Sequence, residues 1–187
     1  MKQILTLIIL AVILWVGFTQ LRQQILPGGA RPVATNPDLT IDGLPVTEIF
    51  AFSYGNVIDG DSVRLTDESG AEFDIRLAAL DAPESQQPYG PEAKQHLQNL
   101  LGSNEILAWQ TGVDQYSRKI AYLFIEQANG QLFEVNTQMI RDGYAWHYTQ
   151  HSSNPVLQSI EQQARQSRLG LWADMQQPIP PWDYRKQ

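Results

Sequence analysis

Val57-Ile58-Asp59-Gly60-Asp61-Ser62-Val63, followed closely by Ile75-Arg76-Leu77 and Leu80-Asp81-Ala82-Pro83-Glu84, gathers carboxylates and an arginine at the ends of apolar runs. In Asp61-Ser62-Val63-Arg64-Leu65 the alternation of period two sets Asp61 on the side of Val63 and Leu65, so this carboxylate faces the apolar side of a sheet. A charge there is costly unless a cation or hydrogen bonds compensate it. Asp81 closes a second apolar run, Leu77 to Leu80, and Pro83 steers Ala82 away from helical backbone, leaving the Ala82 carbonyl free beside Asp81. Two carboxylates, a carbonyl and room for waters suit a hard cation such as calcium. Taken alone, Asp59-Gly60-Asp61 is usually only a turn. Arg76 and Asp81 have opposite parity, so one regular strand would place them on opposite faces; a bulge or strong coil is needed to unite them.

Outward from this stretch, five segments carry strand signals: Glu48 to Ile58, Ser62 to Thr66, Ala71 to Leu80, Glu105 to Gln110 and Lys119 to Glu126, with Glu68-Ser69-Gly70 turning the chain between the second and third. Three helices are expected. Pro91 opens the first, Ala93, Leu97, Leu100 and Leu101 form its apolar face, and Gly102 ends it. The second runs from about Val135 to Gly143. The third, from about Pro155 to Gly170, buries Val156, Leu157, Ile160 and Ala164. This order is compatible with a small antiparallel barrel carrying packed helices, an α+β domain over residues 47–187.

The 187 residues are one domain's worth, and 43% hydrophobic content is ordinary for a globular core. The absence of cysteine excludes disulfides, thiolate chemistry and cysteine-ligated zinc. Residues 1–22 stand apart: Ile4 to Phe18 is almost unbroken apolar sequence behind Lys2. At about 1.5 Å per residue this run is shorter than the roughly 30 Å hydrocarbon layer. With no clear pair of small residues marking cleavage, it reads as an uncleaved N-terminal membrane helix, a signal anchor, rather than a cleaved signal peptide. Either reading exports the domain, tethered to the membrane or secreted. Residues 23–46, with Pro27, Gly28, Gly29, Pro32 and Pro37, have the composition of a flexible linker.

The runs around Asp61 and Asp81 resemble the thermonuclease, or staphylococcal nuclease-like, family. The likeness continues in order through Tyr89-Gly90-Pro91-Glu92-Ala93, Asp114-Gln115-Tyr116-Ser117-Arg118, Val135-Asn136, Arg141-Asp142-Gly143-Tyr144-Ala145 and Leu169-Gly170-Leu171-Trp172. The resemblance implies a five-stranded OB-type Greek-key barrel and a calcium-dependent endonuclease that hydrolyses DNA and RNA with little sequence preference, leaving 3'-phosphates. It implies Asp61, Asp81 and the Ala82 carbonyl as calcium ligands, Glu84 as the residue orienting or deprotonating the attacking water, and Arg76 and Arg118 as the phosphate clamp. Ala82 replaces the family's usual threonine, which a backbone ligand tolerates. Ser117 replaces its usual glycine, so a left-handed backbone there would be strained.

Several features weigh on that reading. Asp59 is either a partner of a metal ligand or a turn residue, and Tyr116 either stacks on a base or is an exposed loop ring. His147 and His151 have helical i,i+4 spacing, but Gly143 ends the preceding helix and no acidic third ligand follows, so they are not read as a zinc pair. The net charge of -7 argues against tight, processive capture of a polyanion and favours a hit-and-run nuclease. The expected partners are DNA and RNA, mainly single-stranded or frayed, and the expected state is a monomer. The competing classes are a non-catalytic OB-type module binding nucleic acid or protein in the cell envelope, and an envelope assembly protein borrowing the fold. Neither accounts for Asp61, Arg76, Asp81, Glu84 and Arg118 all being present.

Overall fold

The computed structural model describes residues 30–33, 40–41, 44–174 and 178–187. Five strands, β1 (Ile49–Val57), β2 (Ser62–Thr66), β3 (Glu72–Leu77), β4 (Ile106–Val113) and β5 (Lys119–Glu126), close into a barrel. β1, β2 and β3 form an antiparallel meander, β3 pairs with β5 in parallel, and β4 runs antiparallel to both β5 and β1, closing the ring. This is the α+β barrel with packed helices that the resemblance implies. β1 opens with four consecutive buried residues, Ile49 to Phe52, because both its faces are covered. Phe50 and Phe52 enter the barrel interior with Val63, Leu65, Ile75 and Leu123, whereas Ile49 and Ala51 pack on Trp109, Tyr122 and Phe124 outside it.

Helices α1 (Gly90–Leu101), α2 (Val135–Arg141) and α3 (Pro155–Gln166) follow the expected order, with a single turn α4 (Pro181–Tyr184) beyond them. α1 buries Ala93, Leu97 and Leu101, and Gly102 ends it at φ 56°. α3 stops at Gln166, short of the expected Gly170, which instead begins a 3-10 turn ending at Trp172. Val156, expected in the core, is exposed: Asn154 caps the helix by accepting the Val156 N–H, so this first turn lies at the rim and burial starts at Leu157.

The membrane helix expected within residues 1–22 lies outside the described residues; among those, no helix is long and apolar enough to cross a membrane. Part of the stretch read as linker is sheet. Arg31–Val33 pairs with β1, Val33 packs beside the Trp109 cluster, and the Arg31 guanidinium reaches Glu68 and Glu105 at 3.1 and 2.8 Å. Proline fits here because the segment pairs only on one side, where a missing N–H is tolerated.

The expected strand Ala71 to Leu80 is two pieces. β3 ends at Leu77, Ala78-Ala79 turn with Ala79 left-handed at φ 62°, and Leu80–Asp81 pairs instead with Trp146–His147. The buried Asn136 side chain holds this turn, donating to the carbonyls of Ala78 and Ala121 at 3.1 and 3.0 Å and accepting the Leu123 N–H at 3.0 Å.

Candidate active site

The turn between β1 and β2 begins the site. Asp59 Oδ1 accepts the Asp61 N–H at 3.0 Å, an Asx-type bond that makes Asp59 a turn residue and a direct neighbour of Asp61 at once. Burial, with the charge of Asp61 adding to it, pushes its carboxyl up to about 6. Gly60 is needed for close approach, since a Cβ there would stand 2.7 Å from the Ala82 Cβ and 2.9 Å from the Ala93 Cβ. The turn can therefore press Asp61 against the Ala82 backbone. Asp61 is buried, as the strand alternation requires; its Oδ2 accepts the Ala82 N–H at 2.9 Å and its Oδ1 the Ser62 hydroxyl at 3.0 Å.

Arg76 stands opposite Ser62 across the β2–β3 ladder. Its Nη1 donates to the carbonyls of Leu77 and Leu80 at 2.8 and 2.9 Å, while its Nη2 lies 2.8 Å from Asp81 Oδ1 and 3.1 Å from Asp61 Oδ2. The turn at Ala79 thus does what parity alone forbade: it reverses the phase of the chain and carries Asp81 to the face Arg76 occupies. Asp81 is 1% exposed. Burial raises its pKa, with the charge of Asp61 acting the same way and hydrogen bonds from arginine opposing.

Arg118 arrives through the loop before β5. Its Nε donates to Asp114 Oδ2 at 2.7 Å, its Nη1 reaches the Ser62 hydroxyl at 3.3 Å, and Asp114 Oδ1 also accepts the backbone N–H groups of Tyr116 and Arg118, each at 2.9 Å. Burial works upward on Asp114, but these bonds hold its pKa below the ordinary value. Ser62 therefore links Arg118 to Asp61. Ser117 does adopt the left-handed backbone, φ 65°, that glycine would take without strain. Replacing it by glycine is expected to raise stability by about 1 kcal/mol, and thermal unfolding of Ser117→Gly should show a higher midpoint with turnover retained. An unchanged or lowered midpoint would show that the Asp114 bonds already dictate this loop at no cost. Tyr116 is 72% exposed, its ring 5.6 Å from the Arg118 guanidinium carbon. Beside it opens a groove of about 350 Å³ lined by Arg64, Phe73, Asp74, Ser117 and Lys119 among others.

Glu84 lies at the rim, and a residue that the sequence pattern did not single out meets it there. Arg185, in the segment just after α4, places Nη1 2.6 Å from Glu84 Oε1 and 3.3 Å from Asp81 Oδ1, and Nη2 2.8 Å from Asp81 Oδ2. Burial disfavours its charge, yet the hydrogen bonds to Asp81 and Glu84 prevail and hold the guanidinium above its ordinary pKa. The available hint was Trp182 and Tyr184, large rings just after the proline-rich run Pro178-Ile179-Pro180-Pro181, which signal docking without saying where.

Asp61, Arg76, Asp81 and Ala82 thus converge, Arg118 joins them through Ser62, and Glu84 joins through Arg185. His147 and His151 do not. His147 lies on a strand, not a helix, with Nε2 3.0 Å from the Ser152 hydroxyl, while the His151 ring packs on Tyr148. Among the described residues, no three His, Cys, Asp or Glu side chains gather closely enough to enclose an ion. The oxygen donors still fit a hard cation, because such a site completes its shell with carbonyls and water, and because Asp61 and Asp81 already share one cationic group, the Arg76 guanidinium, while Asp81 holds a second, that of Arg185.

The sequence profile described as Staphylococcal nuclease homologue matches residues 74–174, a stretch containing Arg76, Asp81, Glu84 and Arg118. A protein of Haemophilus influenzae named as an uncharacterized endonuclease is 31% identical over 131 residues, covering 70% of this chain and 70% of its own. One of the same name from Escherichia coli O157:H7 is 34% identical over 129 residues, 69% of this chain and 80% of its own. A staphylococcal-like nuclease of Arabidopsis thaliana is 36% identical over 115 residues, 62% of this chain but 34% of the plant protein. Closed barrel, converging acidic and arginine side chains, and matches over most of the domain together make this chain a member of the staphylococcal nuclease homologue family.

Proposed function

We propose that this chain is a calcium-dependent endonuclease, a phosphodiesterase cleaving DNA and RNA with little base preference and leaving 3'-phosphates. It acts as a monomer on single-stranded or frayed substrate, exported and tethered to a membrane by residues 1–22. The observation that carries the reading is the convergence of Asp61 and Asp81 on one nitrogen of Arg76, with Arg118 one hydroxyl away. Export rests on the apolar run Ile4 to Phe18 alone.

Calcium held by Asp61, Asp81 and the Ala82 carbonyl would offset the negative charge of the phosphate. Arg76 is fixed by two carbonyls and two carboxylates, so its remaining donor capacity is aimed before substrate arrives, the condition under which a donor lowers a barrier most. Arg118, steadied by Asp114 through Nε, would supply the forked pair of donors. Glu84, half-exposed at the rim, would orient a water or accept its proton. Purified protein incubated with single-stranded DNA should yield fragments with calcium and none with chelator. Equal cleavage in both would remove the metal assignment, and none in either would remove the nuclease reading.

The net charge of -7 makes a further prediction. The apparent second-order rate constant at limiting substrate should rise as salt increases from very low values, pass through a maximum once the Debye length nears about 10 Å, and fall as the local clamp is screened. A monotonic decline would mean that the substrate meets a basic surface, such as the Arg64–Arg118–Lys119 groove, which the net charge conceals.

A further inference from the structure

We infer that the segment 178–187 is an internal latch on the site: Arg185 pairs with Asp81, one of the assigned calcium ligands, and with Glu84, and calcium must displace it from Asp81. The inference rests on the calcium reading above and concerns this chain's own residues. Both carboxylate oxygens of Asp81 are taken by guanidinium nitrogens, Oδ1 by Arg76 at 2.8 Å and Oδ2 by Arg185 at 2.8 Å. The same Arg185 takes Glu84 Oε1 at 2.6 Å. While it stays, Asp81 has no oxygen free for a second cation, and the carboxylate assigned to the attacking water is neutralised.

The charges argue the same way. Asp61, Asp81 and Glu84 against Arg76 alone leave two uncompensated negative charges, the charge of one divalent cation. Arg185 offsets one of them.

The segment docks rather than drifts. The buried Gln87 amide donates to the Ile179 carbonyl, and Pro181 is buried. The Trp182 ring stacks on Tyr148 at 5.4 Å with 11° between planes and meets the edge of Trp146 at 6.5 Å. These contacts fix the segment to the loop after Glu84 and to the strand that pairs with Leu80–Asp81, so Arg185 is delivered to the site from both sides. The Arg185 side chain is nevertheless 43% exposed, against 1% for Asp81. An ion pair with one solvated partner is weak enough to be reversible, so the latch lowers the apparent calcium affinity by the fraction of molecules that are open, rather than abolishing binding.

The test is calcium titration by calorimetry on the full chain, comparing wild type with Arg185→Gln, Trp182→Ala and Lys186→Gln. Arg185→Gln should tighten calcium by about fivefold, and Trp182→Ala, which keeps the charge but loosens the dock, should tighten it in the same direction. Among the described residues Lys186 pairs with Asp183 alone, at 2.8 Å, so Lys186→Gln removes an equal charge one residue away and should leave the affinity within about twofold. In wild type, calcium should also speed hydrogen exchange at the Asp183, Tyr184 and Arg185 amides, which bond to Pro180 and Pro181. Measurable binding with equal affinity in wild type and Arg185→Gln overturns the latch while leaving the calcium reading intact. Equal tightening by Lys186→Gln overturns it too, since the effect would then be that of the general field. No calcium binding in any variant would overturn the calcium reading and the latch with it.

Discussion

Asp61→Ala and Asp81→Ala should each abolish calcium binding and lower cleavage by about 10³-fold or more, because the cation's charge stabilisation is worth several kcal/mol. Both should also lower thermal stability. From sequence, two unpartnered carboxylates facing one site would repel, and removing one would raise the melting temperature. The structure reverses that sign. Asp81 is held by Arg76 and Arg185, and Asp61 accepts the Ala82 N–H, so truncation strands a donor in each case. Arg185 can turn to solvent, but the Arg76 side chain is 13% exposed and cannot. Its two carbonyl partners and Asp61 remain, so the loss for Asp81→Ala should be about 2 kcal/mol rather than the roughly 3–5 of a fully orphaned ion. Asp61→Ala leaves one buried backbone donor unmet, at a cost of about 1–3 kcal/mol. Calorimetry for calcium, a turnover assay and thermal unfolding on the same preparations check all three. Unchanged calcium affinity in both variants would sink the metal assignment, and a raised midpoint for Asp81→Ala would mean that repulsion from Asp61 outweighs both arginines.

The second large effect is expected at Arg76. Arg76→Lys keeps the charge but should cut turnover by about 10²- to 10³-fold, since an ammonium cannot reproduce a planar fork that reaches both carboxylates and both carbonyls. The Leu77 and Leu80 carbonyls position the guanidinium, so lysine there should also soften the Ala78-Ala79 turn. Arg118→Lys should show the loss in turnover without the loss in stability, because Asp114 keeps the backbone N–H bonds that shape its loop. Kinetics and unfolding measured side by side separate the two arginines. Near wild-type turnover in Arg76→Lys would show that its bonds serve the fold alone.

The strands of the barrel were legible as β-branched and aromatic runs bounded by turn residues: Ser62–Thr66 and Lys119–Glu126 fall where those signals put them, and Asp61 is buried on the side its phase requires. Gly102 ends its helix as an L residue readily could not, and Asp59 closes a turn two residues on, both being interactions of near neighbours. Ala79 was not legible. Nothing in Leu77-Ala78-Ala79-Leu80 marks a left-handed break; the turn exists because Asn136, from a helix far along the chain, binds the Ala78 carbonyl, and because Leu80–Asp81 finds a partner in Trp146–His147. Arg185 was not legible either, for the same reason. Local sequence records the periodicity with which a segment buries one face, but which charge that segment carries to which carboxylate depends on where tertiary packing docks it, and only the folded chain brings Arg185 within 2.8 Å of Asp81.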